Sequence, residues 1–401
     1  MHIACVDRPL ASPDELGMTR IAHLTTVHHP SDPRIFRKQL RTLAEAGFEA
    51  HLVVPNEGRS ETRRSVRVTG LPAAKGRYRR AWLQPQLVRA ARQLDAALYH
   101  FHDPELIPAA YLLKRLTGAR VIYDMHENYR WKGAVEGRLL RALERWCFRW
   151  VDHVVVANAA HQCIPATSGA STTVVANYYK PPDEAVPSND PPPLRDLRAA
   201  YTGVMGADRG LMTMLDLAAL FKKERPRWRL DLAGVCYRPG DRRRAETRVR
   251  KAGLAPVLPR ADWSSYAPWR TIQAAHERAH VGLALFSDES GFPEVLPTKF
   301  YEYLHAGLPI LCSDLERWRA FVERHDCGAV VPLGSARAAF EVLKDWANDP
   351  ERYQALSAHA RVAAPQYRWA VMGHRLVRLY NRLLGTQRPL PPAPEEASAS
   401  L

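Results

Sequence analysis

Residues 291–311 read GFPEVLPTKFYEYLHAGLPIL, and this stretch decides the reading of the chain. Pro297 and Thr298 suit the start of a helix, Gly307 suits its end, and LPIL beyond reads as a buried strand. A helix N-terminus carries unbonded amides and a partial positive charge, which makes it a seat for a diphosphate. About one turn in, Glu302 can accept two hydrogen bonds from a vicinal diol such as a ribose. Glu294, in the loop before the helix, can grip the hydroxyls of a sugar beyond the phosphates. Taken alone, the stretch is equally a capped surface helix with ordinary acidic residues.

On both sides of it, short β-type runs alternate with helical patterns, which predicts parallel sheets covered by helices. The first half offers IAHLTT (21–26), EAHLVVP (49–55), ALYHFH (97–102), ARVIYDMH (119–126), DHVVVAN (152–158) and TVVANYY (173–179). The second offers AAYTGV (199–204), WRLDLAGV (228–235), VGLALF (281–286), LPILCS (308–313) and GAVVPL (328–333). Between the first two strands, Ser31 or Asp32 can cap a helix that Pro33 opens and Gly47 ends, with Phe36, Leu40 and Leu43 on its buried face. PPDEAVPSNDPPPL (181–194) is the best linker. The expected order is an N-terminal extension (1–17), an α/β domain (18–180), a linker (181–195) and a second α/β domain (196–365). A helix (366–386) packing back toward the first domain and a disordered tail (387–401) follow. Doubly wound sheets bind ligands at the carboxyl ends of their strands, so a ligand is expected in a cleft between the domains.

Composition narrows the function. Of the 401 residues 46% are hydrophobic and 25% charged, as in ordinary globular proteins, and 57 Lys and Arg against 42 Asp and Glu leave a net charge of +15. An anionic partner is implied: a membrane surface, a phosphorylated substrate or nucleic acid. The six cysteines lie far apart with no CxxC, which fits neither a zinc ribbon nor a disulfide scaffold and suggests a reducing compartment. Residues 1–17 lack a basic start and an apolar core and do not read as a signal peptide, so a cytoplasmic location is expected. GxGxxG, Walker A, GxSxG and HExxH are missing from the sequence, which counts against a dehydrogenase, a P-loop NTPase, a serine hydrolase and a zincin.

Glu294 and Glu302 form the E-x7-E pattern of retaining glycosyltransferases with the GT-B fold, and with EYLHAGLPIL behind them the chain resembles glycosyltransferase family 4 (group 1) from about Arg20 to Gly385. The resemblance implies two Rossmann-like doubly wound domains facing a central cleft, and a nucleoside-diphosphate sugar as donor. TGVMGADRG (202–210) is similar to the family's Gly-rich loop. Gly203 and Gly206 allow close backbone approach there, and Arg209 is implied to hold the diphosphate. The family usually has two basic residues in this neighbourhood, and Lys299 on the first turn of the helix behind Thr298 is the candidate for the second. VIYDMHENY (121–129) resembles the strand end that supplies the donor-sugar histidine, here His126; Glu127 and Asn128 beside it read equally as acceptor contacts or as caps of the following turn. VHHPSDPRIF (27–36) and YHFHDPELIP (99–108) resemble cleft-facing loops of a subgroup, which brings His28, His29 and His102 to the acceptor. Where the broader family has a Gly-Gly pair, this chain has His28-His29-Pro30.

The resemblance assigns His126 and Glu294 to catalysis, and Glu302, Arg209, Lys299, Thr298, Gly203 and Gly206 to the donor. No metal or other cofactor is expected. His100 and His102 share one strand face, so a histidine metal site stays open beside sugar contact. Asp103 reads as the cap of the helix that Pro104 and Glu105 begin.

From Arg59 to Arg92 there are ten basic residues and one acid, with Trp82, Leu83, Leu87 and Val88 interleaved, a pattern suited to an anionic membrane surface. No RRM, KH or helix-turn-helix pattern supports nucleic acid. The apolar positions of RLLRALERWCFRW (138–150) have core spacing, which predicts burial. The function expected is transfer of a sugar from a UDP or GDP donor to a polysaccharide or lipid-linked glycan. An epimerase or hydrolase of the same fold, a non-catalytic glycan- or membrane-binding relative, and a histidine-rich metal hydrolase are the alternatives.

Overall fold

The computed structural model describes residues 18–73, 76–126, 134–181, 193–263, 267–287 and 295–391. Glu127, Glu294, residues 1–17 and most of the expected linker and tail lie outside the described residues. The chain divides into two units, one running to Asn177 and resuming at Trp369, the other spanning Tyr178–Arg368.

The first unit is built on β1 (Arg20–Leu24), β2 (Glu49–Pro55), β3 (Glu61–Arg63), β4 (Val66–Leu71), β5 (Leu98–Phe101), β6 (Arg120–Met125), β7 (His153–Val156) and β8 (Thr172–Val174). They lie in the order β3-β4-β2-β1-β5-β6-β7-β8. All pairs are parallel except β3 with β4. Helices on both faces bury the central strands, which is why β7 reads HVVV with no polar alternation. The first helical segment starts as expected: the Asp32 carboxylate accepts from the amides of Arg34 (2.8 Å) and Ile35 (2.9 Å), with Pro33 in the first position. The helix Trp369–Leu384 belongs to this unit, and its Trp369 indole donates to Thr42 Oγ1 at 2.8 Å.

The hairpin β3–β4 is absent from the sequence reading. Its two-residue turn, Arg64–Ser65, has φ of 49° and 64° without a glycine or asparagine to announce it. Residues 138–150 also depart from expectation. Leu140 and Cys147 are buried, but Leu139 is 63% and Trp146 37% exposed, because the helix Ala134–Cys147 carries apolar residues over more than the face it packs.

The second unit holds β9 (Arg198–Met205), β10 (Arg229–Cys236), β11 (Arg260–Asp262), β12 (Val281–Ala284), β13 (Ile310–Ser313) and β14 (Gly328–Val331). The order is β11-β10-β9-β12-β13-β14, and every pair is parallel. Trp228, Trp318, Phe221, Phe300 and Phe340 fill its core. Chain order reverses between β9 and β12, so the loops leaving these strands flank a switch point, where such sheets take their ligands. In the first sheet the reversal lies between β1 and β5.

Candidate active site

At the switch point of the second unit, β9 runs into the turn Gly206–Gly210. Gly203 has φ of 109°, in the region that favours glycine, and Gly206 is extended. Gly210 caps the helix Leu211–Glu224 at φ 73°, and a Cβ there would stand 1.5 Å from the Leu285 carbonyl oxygen. This close approach seats the turn against the end of β12. Asp241 Oδ2 accepts from the Ala207 amide at 3.0 Å, and the Ser287 hydroxyl donates to the Ala207 carbonyl at 3.2 Å.

Arg209, carried by this turn, lays its guanidinium 5.7 Å from the Phe286 ring centroid. Lys299 reaches the same ring at 5.1 Å and the Tyr201 ring at 4.0 Å. The lysine is only 6% exposed. Burial first, then the neighbouring Arg209, pull its pKa down to about 7, against the opposing pull of Glu302. Lys299 sits in the first turn of the helix Thr298–His305, whose N-cap, Pro297, offers no side-chain cap to the leading amides. Thr298 is exposed at the helix start and Glu302 is half-buried one turn on. Gly307 ends the helix with φ of 66°. The second unit thus gathers Gly203, Gly206, Arg209, Thr298, Lys299 and Glu302 around one end of its sheet. Such a set can hold an anion of two or more charges next to a hydroxylated group.

In the first unit, a histidine cluster occupies the ends of β1, β5 and β6. His23 Nδ1 and His102 Nε2 are 2.9 Å apart, and the Tyr380 hydroxyl bridges His23 Nε2 (2.9 Å) and His100 Nδ1 (2.8 Å). Asp124 Oδ2 lies 3.2 Å from both His102 Nδ1 and His126 Nε2. Arg34 grips the same carboxylate through two hydrogen bonds of 3.0 and 2.8 Å, and Gln39 adds one of 2.7 Å. Burial opposes the Asp124 charge, but Arg34 and the two histidines outweigh it and hold its pKa well below the ordinary value. Burial also drives His23, His100 and His102 well below the usual histidine range.

The His28 ring stands 5.1 Å from that of His126 and bonds Asp32 at 3.1 Å. His29 is exposed, and its ring accepts from the Ser31 amide at 3.1 Å rather than joining the cluster. Asp103 occupies the cap position before Pro104 but does not cap. Its buried carboxylate instead accepts from Thr25 Oγ1 (2.9 Å) and the Thr26 amide (2.6 Å), which ties the β1 and β5 loops together.

Two triads, His23–His100–His102 and His102–Asp124–His126, bring ligand atoms within 4.8 Å of one another. Zinc ligands at the usual bond length stand about 3.3 Å apart in a tetrahedral site. In the first triad the His23–His102 separation of 2.9 Å is instead that of a hydrogen bond. In the second all three separations are 3.2 Å, close to the zinc value, but the Asp124 carboxylate is already neutralised by the Arg34 guanidinium and bonded by Gln39. The residues present fit a proton-ordered network better than an ion. Sequence reasoning missed Asp124, Arg34, Gln39, His23 and Tyr380. Asp124 left a trace, since a carboxylate inside a fully buried parallel strand demands a partner.

Residues 34–163 match the family model "Glycosyl transferase 4-like domain", and residues 187–363 match "Glycosyl transferases group 1". No curated protein matches the sequence. Among solved structures, the fold is shared with a sucrose-phosphate synthase from Thermosynechococcus elongatus at TM-score 0.71 and 16% identity, covering 92% of this chain and 100% of that one. Anabaena Alr3699/HepE, in complex with UDP and glucose, gives 0.68 and 12% over 91% of this chain and 100% of its own. WaaG, a glycosyltransferase involved in lipopolysaccharide biosynthesis, gives 0.64 and 15% over 90% and 99%. With a parallel or mostly parallel α/β sheet in each unit and a family model on each, the chain belongs to the group 1 (family 4) glycosyltransferases of the GT-B fold and is a glycosyltransferase enzyme.

Proposed function

We propose that the enzyme is a retaining hexosyltransferase that moves a sugar from a UDP or GDP donor to a cell-surface polysaccharide or lipid-linked glycan. The observation that carries the donor half is the pairing of Arg209 with buried Lys299 at an uncapped helix start, one turn ahead of Glu302. In this reading Arg209, Lys299 and the Thr298 amide end hold the diphosphate, Gly203 and Gly206 give room for it, and Glu302 binds the ribose. Glu294 grips the sugar, His126 meets one of its hydroxyls, and His28, His29 and Glu127 line the acceptor side; His102, expected there too, is buried with both ring nitrogens engaged and stands behind His126. Alr3699/HepE, a fold neighbour, has been seen with UDP and with UDP-glucose, which supports a uridine donor as the first to try.

Reaction on the front face of the sugar lets the departing phosphate oxygen take the acceptor proton, so the protein's task is positioning and charge stabilisation. Arg209 and Lys299 take the part that a divalent ion plays elsewhere, and EDTA should leave the activity intact. The basic Arg59–Arg92 region is assigned to an anionic membrane surface at the cytoplasmic face. Support comes from the helix Arg77–Gln93, where Trp82 is 82% exposed while Leu83 and Leu87 are buried.

Thermal unfolding with UDP, GDP, ADP, CMP and NAD, with and without Mg2+, tests the reading. A ligand at 100 times its Kd stabilises by about 2.7 kcal/mol. One nucleotide should shift the wild type and leave Glu302→Ala unmoved. A shift that survives Glu302→Ala, or none with any nucleotide, would refute the donor assignment.

A further inference from the structure

Two proton orders run through the cluster, and Asp124 chooses between them. Asp124 Oδ2 faces His102 Nδ1 and His126 Nε2, both at 3.2 Å, and these two nitrogens share a hydrogen bond of 3.2 Å, so one carries the proton and the other accepts. Beyond them His102 Nε2 pairs with His23 Nδ1 at 2.9 Å, and the Tyr380 hydroxyl joins His23 Nε2 to His100 Nδ1. With the proton on His126 Nε2, His102 Nδ1 accepts it, His102 Nε2 donates to His23, His23 Nε2 donates to the Tyr380 oxygen, and the Tyr380 hydroxyl donates to His100 Nδ1. His100 Nε2, which has no hydrogen-bond partner, then turns its N–H toward Asp124 Oδ2 at 4.0 Å. In the reverse order His126 Nε2 and His100 Nε2 would both turn lone pairs on the carboxylate, which repels them.

We propose that Asp124, clamped by Arg34 and Gln39, is a positioning residue that holds a proton on His126 Nε2, so that Nδ1 is the nitrogen free to accept a hydrogen bond. What Nδ1 meets rests on the reading above that His126 contacts a sugar hydroxyl; there the hydroxyl donates and the ring accepts. The assignment goes beyond placing a histidine at the site, because it gives the contact a direction. A sugar whose hydroxyl at that position is replaced by fluorine, which cannot donate, loses the bond.

Nitrogen-15 NMR of histidine-labelled full-length wild type at a pH of about 8, above the ordinary histidine range, reads the tautomer directly. His126→Asn identifies the His126 signals by their loss. A protonated Nε2 with bare Nδ1 is expected, and the opposite tautomer overturns the proposal. Asp124→Leu alone would strand buried Arg34, so the lock is tested with Arg34→Met/Asp124→Leu, an apolar replacement of a buried ion pair that proteins often tolerate. His126 should relax in that variant from a single Nε2–H tautomer to the mixture of a free imidazole, in which Nε2–H is only the major form. A folded variant that keeps the single tautomer removes Asp124 from the role, and if the variant does not fold, a wild-type Nδ1–H population like that of a free imidazole does the same.

Turnover separates this from the functional reading. His126→Asn puts an amide oxygen near the Nδ1 position, whereas His126→Gln reaches only toward Nε2. With UDP-glucose or GDP-mannose hydrolysis as probe, whichever the wild type consumes, Asn should retain about tenfold more kcat than Gln, the worth of one hydrogen bond. Equal losses beside an Nε2–H spectrum would leave the tautomer standing and refute the contact with sugar.

Discussion

Nucleotide binding should draw a proton from solution, and Lys299 is the reason. Its pKa of about 7 follows first from burial and then from Arg209 nearby, so at pH 8 only about a tenth of the molecules carry the charge. One negative charge about 4 Å from Nζ is worth about 4 kcal/mol at an effective dielectric constant of 20, enough to raise that pKa by about 3. A bound diphosphate therefore restores a full ammonium, and binding at pH 8 takes up about 0.9 proton. The terminal phosphate of UDP, with a pKa of about 6, is already ionised at that pH and adds little. Calorimetric titration of UDP in buffers of different ionisation enthalpy measures the uptake as the slope of apparent against buffer enthalpy. Affinity should also weaken nearly tenfold per pH unit above the Lys299 pKa. Lys299→Met should bind more weakly and show neither effect. A wild type that binds UDP at pH 8 with zero slope, or a methionine variant that keeps the slope, would refute the placing of Lys299 against the diphosphate.

Three other perturbations test the frame. Burial raises the Glu144 carboxyl to about 7 from 4.5 although Tyr123 donates to it at 2.8 Å. Its contribution is fully present below pH 4.5 and lost as pH rises through about 7, a difference of about 3 kcal/mol. Glu144→Gln, which keeps an acceptor for Tyr123, should therefore raise the denaturation midpoint at pH 8 and leave it unchanged at pH 4. Gly210→Ala places a Cβ 1.5 Å from the Leu285 oxygen at φ 73° and should cost about 3 kcal/mol or more by urea unfolding. Gly58→Ala, at φ 74° with open space around it, should cost only about 1 kcal/mol. Tyr380→Phe strands His23 Nε2 and His100 Nδ1, and should lower stability by about 2–4 kcal/mol in the same assay.

What the sequence by itself determined is the alternation of elements and the local setting of the residues proposed to bind the donor. Parallel strands buried on both faces must be apolar runs, and helix starts and stops need Pro, Asp and Gly, so these features are written locally. TGVMGADRG and PTKFYEYLHAG are each contiguous, and the turn and the helix start they form are legible within single stretches. The β3–β4 hairpin escaped because its turn uses Arg64 and Ser65, held at positive φ by the strands they join. The histidine network is the larger gap. The sequence reading set His100 beside His102 on one strand face and His28, His29 and His102 at the acceptor, but the fold keeps His29 out of the cluster and brings in His23 and Tyr380. Arg34 and Asp124 are ninety positions apart, and Tyr380 follows His100 by 280. No local pattern links such positions. Only the closing of the sheet and the return of the last helix onto it bring them within hydrogen-bond range, where burial makes every proton count.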